Sequence, residues 1–179
     1  MSNEYKDWYQ EKVTEEKKLV AKYPFLCARA LDGFIDTKAD FPMIGLEIPN
    51  GWYNLFYQMC DDIKDLVPKD FYFIQVKEKY NFMRCYTANS TQEIDDIINK
   101  YEHMAPYICT ICGKPATFET SGYIASFCND CWKDHMRHQK GDFIKFQPYF
   151  IVNSVIEGTH FDEKKISFEE EWNRYLKSN

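Results

Sequence analysis

Apolar residues recur along this chain at two periods, and the changes of period mark the elements. Over residues 3–22, Tyr5, Trp8, Tyr9, Val13, Leu19, Val20 and Tyr23 fall near helical spacing with Glu and Lys between them, and Pro24 stops the run. The Glu/Lys face fits a solvated helix side with i,i+4 pairs. Residues 24–50 are broken by Gly33, Pro42, Gly45 and Pro49, with room for a short strand over 43–48. A second helix follows, with Asn50 as its expected cap and Pro68 as its stop. Its stripe is Trp52, Leu55, Phe56, Met59, Ile63, Leu66 and Val67, with Asp61, Asp62, Lys64 and Asp65 on the other side.

The period then drops to two. Residues 71–87 predict a β-hairpin, with Asn81 at a left-handed turn position. Strict alternation assigns Tyr72, Ile74, Val76, Met83 and Cys85 to the core. An even-numbered connection places Lys77 opposite Arg84, so the other face carries Gln75, Lys77, Lys79, Phe82, Arg84 and Tyr86. Ser90-Thr91-Gln92-Glu93 has the form of a capping box and opens a third helix, with Ile94, Ile97, Ile98, Tyr101 and Met104 inward and Pro106 at its end. After Gly141 comes a β-leaning run interrupted by Pro148. A second capping box at Ser167 opens a last helix with Phe168, Trp172, Tyr175 and Leu176 inward. Core packing is expected of Trp8, Trp52, Trp132 and Trp172 alike.

The expected architecture is therefore α+β: a small antiparallel sheet packed by helices, a ribbon built on cysteine pairs, and a C-terminal strand and helix segment. The divisions fall at 1–106 for the core with its N-terminal helix, 107–141 for the ribbon, and 142–179 for a C-terminal part packed on the core. Composition agrees with a folded chain. Of 179 residues, 45% are hydrophobic and 28% charged, which excludes long disorder. A chain of this length buries about 70% of its unfolded surface, so it needs no disulfide scaffold. No apolar run approaches a membrane span, and the charged first residues do not resemble a signal peptide.

Charge narrows the partners. The net charge is −6, unevenly distributed. Residues 1–106 hold 13 Lys+Arg against 18 Asp+Glu, residues 107–141 hold 4 against 3, and residues 142–179 hold 5 against 7. A general nucleic-acid binder is usually basic, because it replaces counterions along phosphates. This balance favours a protein partner or a small local anion site.

Seven cysteines, an odd number, suit a reducing cytoplasm. Cys27, Cys60 and Cys85 are expected to act as small hydrophobes. The other four carry chemistry. Cys109, Cys112, Cys128 and Cys131 form C-x2-C-x15-C-x2-C. Two cysteines two residues apart on a tight turn aim both thiolates at one ion, and a second such turn completes a tetrahedron. Gly113 lets the chain turn after the first pair, and Ser121-Gly122 suits the tip of a hairpin between the pairs. The spacing points to structural Zn2+, with an iron–sulfur cluster or a metal-free redox pair as alternatives. Four cysteines leave no open coordination position, so the site is expected to be a staple.

His135 and His138 follow the last cysteine, and His135 is the alternative fourth ligand in place of Cys131. A nuclease built on paired Cys-x-x-Cys turns needs catalytic His and Asn between or beside the pairs, and this spacer holds no His. His103 and His160 fit the surface. The acids Asp61-Asp62 and Asp95-Asp96 are adjacent on helices and point to different faces, so neither is a carboxylate dyad. No catalytic residue is assigned. The candidate binding patch is the hairpin face of Lys77, Lys79, Phe82, Arg84 and Tyr86, where aromatic rings beside cations can stack on bases. The competing expectation is that Glu78 or helix acids neutralise it.

The helix opening Gly51-Trp52, the hairpin Gln75-Val76-Lys77-Glu78-Lys79-Tyr80 and the Cys109-x-x-Cys112-Gly-x-Pro115 turn resemble a family of small proteins of bacteria, their phages and plasmids. The resemblance covers about residues 43–132. The family's hairpin usually carries Gly where this chain has Asn81, and its last pair is often Cys-x-x-His where this chain has Cys128-x-x-Cys131. It implies a bacterial or infected-host cytoplasm and no particular reaction. Together these features lead us to expect a zinc-stapled, non-enzymatic module that binds another protein, as a phage or mobile-element inhibitor or modulator of a host or defence protein. The alternative is nucleic-acid binding through the hairpin face.

Overall fold

The computed structural model of the chain describes residues 3–120, 124–138 and 147–148. The first helix, α1, spans Asn3–Lys22 and stops before Pro24, which starts a short 3-10 turn, Pro24–Leu26. From Lys6 onward its glutamates and lysines face solvent except Glu16, which is buried and accepts a hydrogen bond from the Met43 backbone N–H at 3.2 Å. That contact ties α1 to the irregular segment before strand β1, Leu46–Glu47.

A 3-10 turn, Asn50–Trp52, leads into α2, Tyr53–Ile63. Asn50 does not cap this helix: its side chain makes no capping bond, and Pro49 directs entry to the turn. The α2 stripe is buried from Trp52 to Ile63, but the helix ends before Leu66, which is exposed. Strands β2 (Tyr72–Lys79) and β3 (Phe82–Ala88) form the hairpin. Tyr80 and Asn81, with φ of 54° and 64°, connect them, the pair of left-handed residues that a two-residue type I′ connection requires. Lys77 pairs with Arg84, as the even connection predicts. The sheet is mixed. β3 pairs antiparallel to β2, whereas β1 joins the other edge of β2 in parallel.

Strict alternation fails on β2 for an identifiable reason. The register runs from Phe73–Thr87 to Gln75–Tyr86, so Ile74 is an extra, bulged residue. Phe73 and Val76 are both fully buried, while Ile74 is 60% exposed. The core face before the bulge is therefore Phe71 and Phe73, not Tyr72 and Ile74. Phe25, Phe56, Phe71 and Phe73 meet with ring centroids 5.4 to 5.9 Å apart.

Helix α3, Gln92–Met104, is capped by Thr91, whose side chain accepts from the Ile94 N–H at 3.4 Å. The cap sits one residue later than the expected box, and Glu93 takes no part in it. Ile94, Ile98, Tyr101 and Met104 face the core as expected. The Tyr101 hydroxyl donates to Asp62 at 2.7 Å, and Asp61 holds Lys22 and Lys64 at 3.1 and 3.0 Å, so these adjacent acids join helices rather than form a dyad. Glu102 is buried at the edge of β3 and accepts from the Cys85 N–H at 2.6 Å, which satisfies part of an otherwise open strand edge.

A second sheet follows. β4 (Phe118–Glu119) pairs antiparallel with β5 (Ser126–Phe127), helix α4 spans Asn129–His138, and β6 (Gln147–Pro148) pairs antiparallel with the other edge of β4. The hairpin tip at Ser121-Gly122 and the last helix with its capping box at Ser167 lie outside the described residues. Of the tryptophans, Trp52 is fully buried and Trp132 packs half-buried 5.9 Å from Phe127. Trp8 corrects the expectation of core packing: it is 48% exposed and meets Phe41 edge-on at the surface. Trp172 lies outside the described residues. Among the described residues, no helix is long and apolar enough to cross a membrane.

Candidate metal centre

The first cysteine turn grows out of the core. After α3, a 3-10 turn over Ala105–Tyr107 delivers Ile108 into the core, and Ile108 bridges to Pro115. Between them the Cys109 N–H donates to the Lys114 carbonyl at 2.8 Å, and the Gly113 N–H donates to the Cys109 carbonyl at 3.0 Å. Gly113 has φ 77°, a left-handed conformation that favours glycine.

This turn is seated against the entry to α2. The Gly51 N–H donates to the Thr110 carbonyl at 3.0 Å, and the Trp52 indole Nε1 donates to the Ile108 carbonyl at 3.2 Å. A Cβ at Gly51 would run into the Cys109 carbonyl oxygen and lie 2.7 Å from the Gly113 nitrogen. Only glycine allows two stretches of backbone to approach this closely.

The second turn is built differently. Cys128 stands just before α4 and Cys131 lies in its first turn; the Trp132 N–H donates to the Cys128 carbonyl at 2.9 Å. Thr110 links the two turns, donating from both its N–H and its hydroxyl to the Ser126 carbonyl at 2.9 and 3.0 Å. Asn81 holds the ribbon to the hairpin. Its side-chain Nδ2 donates to Glu119 at 3.0 Å and to the Ser126 hydroxyl at 2.7 Å.

The result is convergence. The sulfurs of Cys109, Cys112, Cys128 and Cys131 all lie within 4.8 Å of one another, with Cys112 and Cys128 at 3.6 Å. A tetrahedral ion with metal–sulfur bonds of about 2.3 Å has sulfur–sulfur edges of about 3.8 Å, which these spacings bracket. Among the described residues, this is the group of metal-ligating side chains close enough to hold an ion. Cys109 and Cys128 are buried, Cys131 is half-buried and Cys112 is exposed. Burial opposes the Cys128 thiolate, but the N–H groups of Cys131 and Asp130 at the start of α4 and the neighbouring thiols outweigh it, and its pKa falls below the usual thiol value. Burial pushes the Cys112 and Cys131 thiols up. A cation bound between the four replaces that burial penalty with attraction.

The other three cysteines lie outside this cluster. Burial raises the pKa of Cys27, and raises those of Cys60 and Cys85 well above the thiol norm. His135 and His138 lie on α4, but their side chains are outside the described residues. His103 sits on the surface side of α3, its Nδ1 2.7 Å from the Asn99 carbonyl.

The hairpin patch is assembled on one face, as its register requires. Each cation, however, already has a neighbour. Lys77 lies over Tyr86 at 5.1 Å, Lys79 over Tyr80 at 5.7 Å, and Arg84 over Phe82 at 5.0 Å. Arg84 also pairs with the buried Glu102 at 3.0 Å. Glu102 carries no direct sign in the sequence, because it falls within a helical stripe beside Tyr101. Gly51 and Asn81 stood out only as motif letters, without the contacts that explain them. No protein-family model matches the chain, and neither the curated proteins nor the solved structures contain a match.

Proposed function

We propose that the protein is a zinc-stapled, non-enzymatic module that binds another protein, serving a phage or mobile element by inhibiting or modulating a host or defence protein. The observation that carries the structural role is the closure of the centre. Four sulfurs within 4.8 Å of one another can supply every vertex of a tetrahedral ion, which would leave no position for water or substrate, and this is how structural zinc differs from catalytic zinc. Thiolate softness selects zinc or an iron–sulfur cluster, and one compact tetrahedron on two short turns favours a single zinc ion. In such a site the metal supplies folding energy.

The protein-binding reading rests on the acidic balance, −6 overall, and on large apolar side chains left exposed, Leu31, Phe34 and Ile35 among them. A tagged pull-down with and without nuclease tests it. One protein retained in a fixed ratio after nuclease treatment supports the reading, and its absence from several hosts rejects it.

A second reading, binding of single-stranded nucleic acid on the hairpin, draws on the rings and cations of one face. The Arg84–Glu102 pair and the net charge of −6 weigh against it. Salt-dependent retardation of an oligonucleotide, abolished in Lys77→Glu/Lys79→Glu, would establish it over the first.

A further inference from the structure

We infer that the groove between the free edge of β3 and helix α3 is the seat of a basic side chain, a lysine or an arginine, carried by the partner protein. The inference rests on the protein-binding reading above and assigns one contact that performs it.

β3 is the last strand of its sheet, so one of its edges pairs with no strand. α3 lies beside that edge, and the two enclose a cavity of about 330 Å³. Residues 84–87 of β3 form one wall. Asp95, Ile98, Asn99 and Glu102 form the other, at the i, i+3, i+4, i+7 spacing of a single helix face. This volume is at the small end for ligand pockets and suits one long side chain.

The groove is rich in hydrogen-bond acceptors. The two-residue connection makes Lys79–Phe82 and then Lys77–Arg84 the hydrogen-bonded pairs, so Cys85 turns both its backbone N–H and its carbonyl to the free edge. Glu102 takes the N–H at 2.6 Å, and the carbonyl faces the groove. Glu102 is only 6% exposed, and its other oxygen accepts from Arg84 at 3.0 Å. A carboxylate has about four acceptor positions, so about two remain. Among the described residues, the side chains of Thr87, Asp95 and Asn99 have no partner.

Charge selects a cation. The walls carry Arg84 against Asp95 and Glu102, a formal −1. Arg84 and Glu102 pair with each other, which leaves Asp95 uncompensated. Elsewhere on α3, Glu93 and Asp96 have the same sign, and the helix's one lysine, Lys100, stands 3.9 Å from Asp62 of α2. Lys77 lies over the Tyr86 ring but does not line the groove. Ile98 and Tyr86 set the kind of cation. An apolar wall offers a metal ion nothing, but it suits the methylene stem of Lys or Arg, whose head then reaches Asp95, Glu102 and the Cys85 carbonyl.

The test uses the zinc-loaded full chain, isotope-labelled for amide NMR. The probe is arginine capped at both ends, added to about 20 mM, with capped citrulline, its uncharged isostere, as reference. The expected result is saturable shifts at the amides of Cys85, Thr87, Asp95 and Asn99 with capped arginine and none with citrulline. Asp95→Asn weakens this binding about fivefold or more. Asp96→Asn, whose native carboxylate accepts from Gln92 at 2.8 Å outside the groove, leaves it unchanged. Circular dichroism and metal content stay unchanged in both variants. Against the partner recovered by pull-down, Asp95→Asn weakens binding about tenfold, Asp96→Asn does not, and the difference shrinks in high salt. Equal shifts with citrulline, or no saturable shift at these amides, overturn the proposal. So does a partner whose affinity is the same for Asp95→Asn; in that case the protein-binding reading stands and only the seat falls. Saturation by capped arginine with no stable partner from any host removes both, and leaves the groove to a free cationic ligand.

Discussion

The two cysteine turns contribute equally to one centre but depend on the rest of the molecule to different degrees. The Cys109–Cys112 turn is pressed into the core. Gly51 meets it backbone to backbone, Trp52 holds the carbonyl before it, and Ile108 belongs to the hydrophobic core itself. The Cys128–Cys131 turn rests on β5 and the start of α4, and it reaches the core through Ser126 and its bonds to Thr110 and Asn81. One turn is thus positioned by folding of the core. The other is positioned through the ribbon and, on our reading, by the metal. A staple of this kind joins a pre-ordered half to a half that the ion recruits.

Breaking the staple should have the largest effect. Zinc-finger peptides gain roughly 10–16 kcal/mol of apparent binding energy at neutral pH. Cys109→Ser and Cys128→Ser should each lose most of their bound zinc, read by metal analysis. Thermal unfolding should separate them. Cys109→Ser should lower the midpoint of the core as well as the ribbon, whereas Cys128→Ser should act mainly on residues 116–138. Equal effects on both regions would erase the asymmetry.

Next is Gly51→Ala, which touches no ligand. Its Cβ meets backbone rather than a flexible side chain, so the turn or the entry to α2 must shift. Overpacking of this kind costs about 1–3 kcal/mol, and displaced support weakens metal binding about tenfold or more. Chelator competition measures this. Gly45→Ala, where a Cβ meets nothing within 4 Å, is the matched control and should be close to neutral.

Asn81 tests the other side of the comparison. Asn81→Gly keeps the left-handed turn but removes the bonds to Glu119 and Ser126, at a cost of about 1–3 kcal/mol. Asn81→Ala should cost about 1–2 kcal/mol more, from backbone strain at φ 64°. If the two variants unfold alike, the turn conformation carries no weight there. The smallest expected effect is Thr91→Ala, which removes the α3 cap at about 1 kcal/mol and leaves zinc affinity unchanged. A change in zinc affinity in this variant would mean that the core and the centre are coupled more widely than Gly51, Trp52 and Asn81 provide.

These residues also show how far the chain could be read before its structure. Periodicity placed α1, α2, the hairpin and α3; α2 and α3 bury a stripe strong enough to dominate local choices, whereas the apolar residues of α1 stay half-buried or exposed. The four cysteines announced a metal centre through spacing alone. Three things were out of reach for physical reasons. The bulge at Ile74 inverts which residues of β2 point inward, and nothing in an alternating apolar stretch marks where an extra residue is absorbed. Thr91 and Ser90 are both competent caps, so the helix start is decided by packing. Gly51 and Asn81 act through residues about 60 and about 40 positions away, a reach that local pattern does not encode. Asn81 is instructive, since glycine would suit the turn equally well; the amide is there for what it holds on the ribbon.

The central claim is that four thiolates close around one structural zinc ion. X-ray absorption at the zinc edge of the purified full chain tests it most directly. The account predicts one equivalent of zinc with four sulfur neighbours at about 2.3 Å and no nitrogen or oxygen in the first sphere. Three sulfurs and a nitrogen or oxygen at about 2.0–2.1 Å would contradict it, exchanging the closed staple for a site with a histidine or a water bound to the metal.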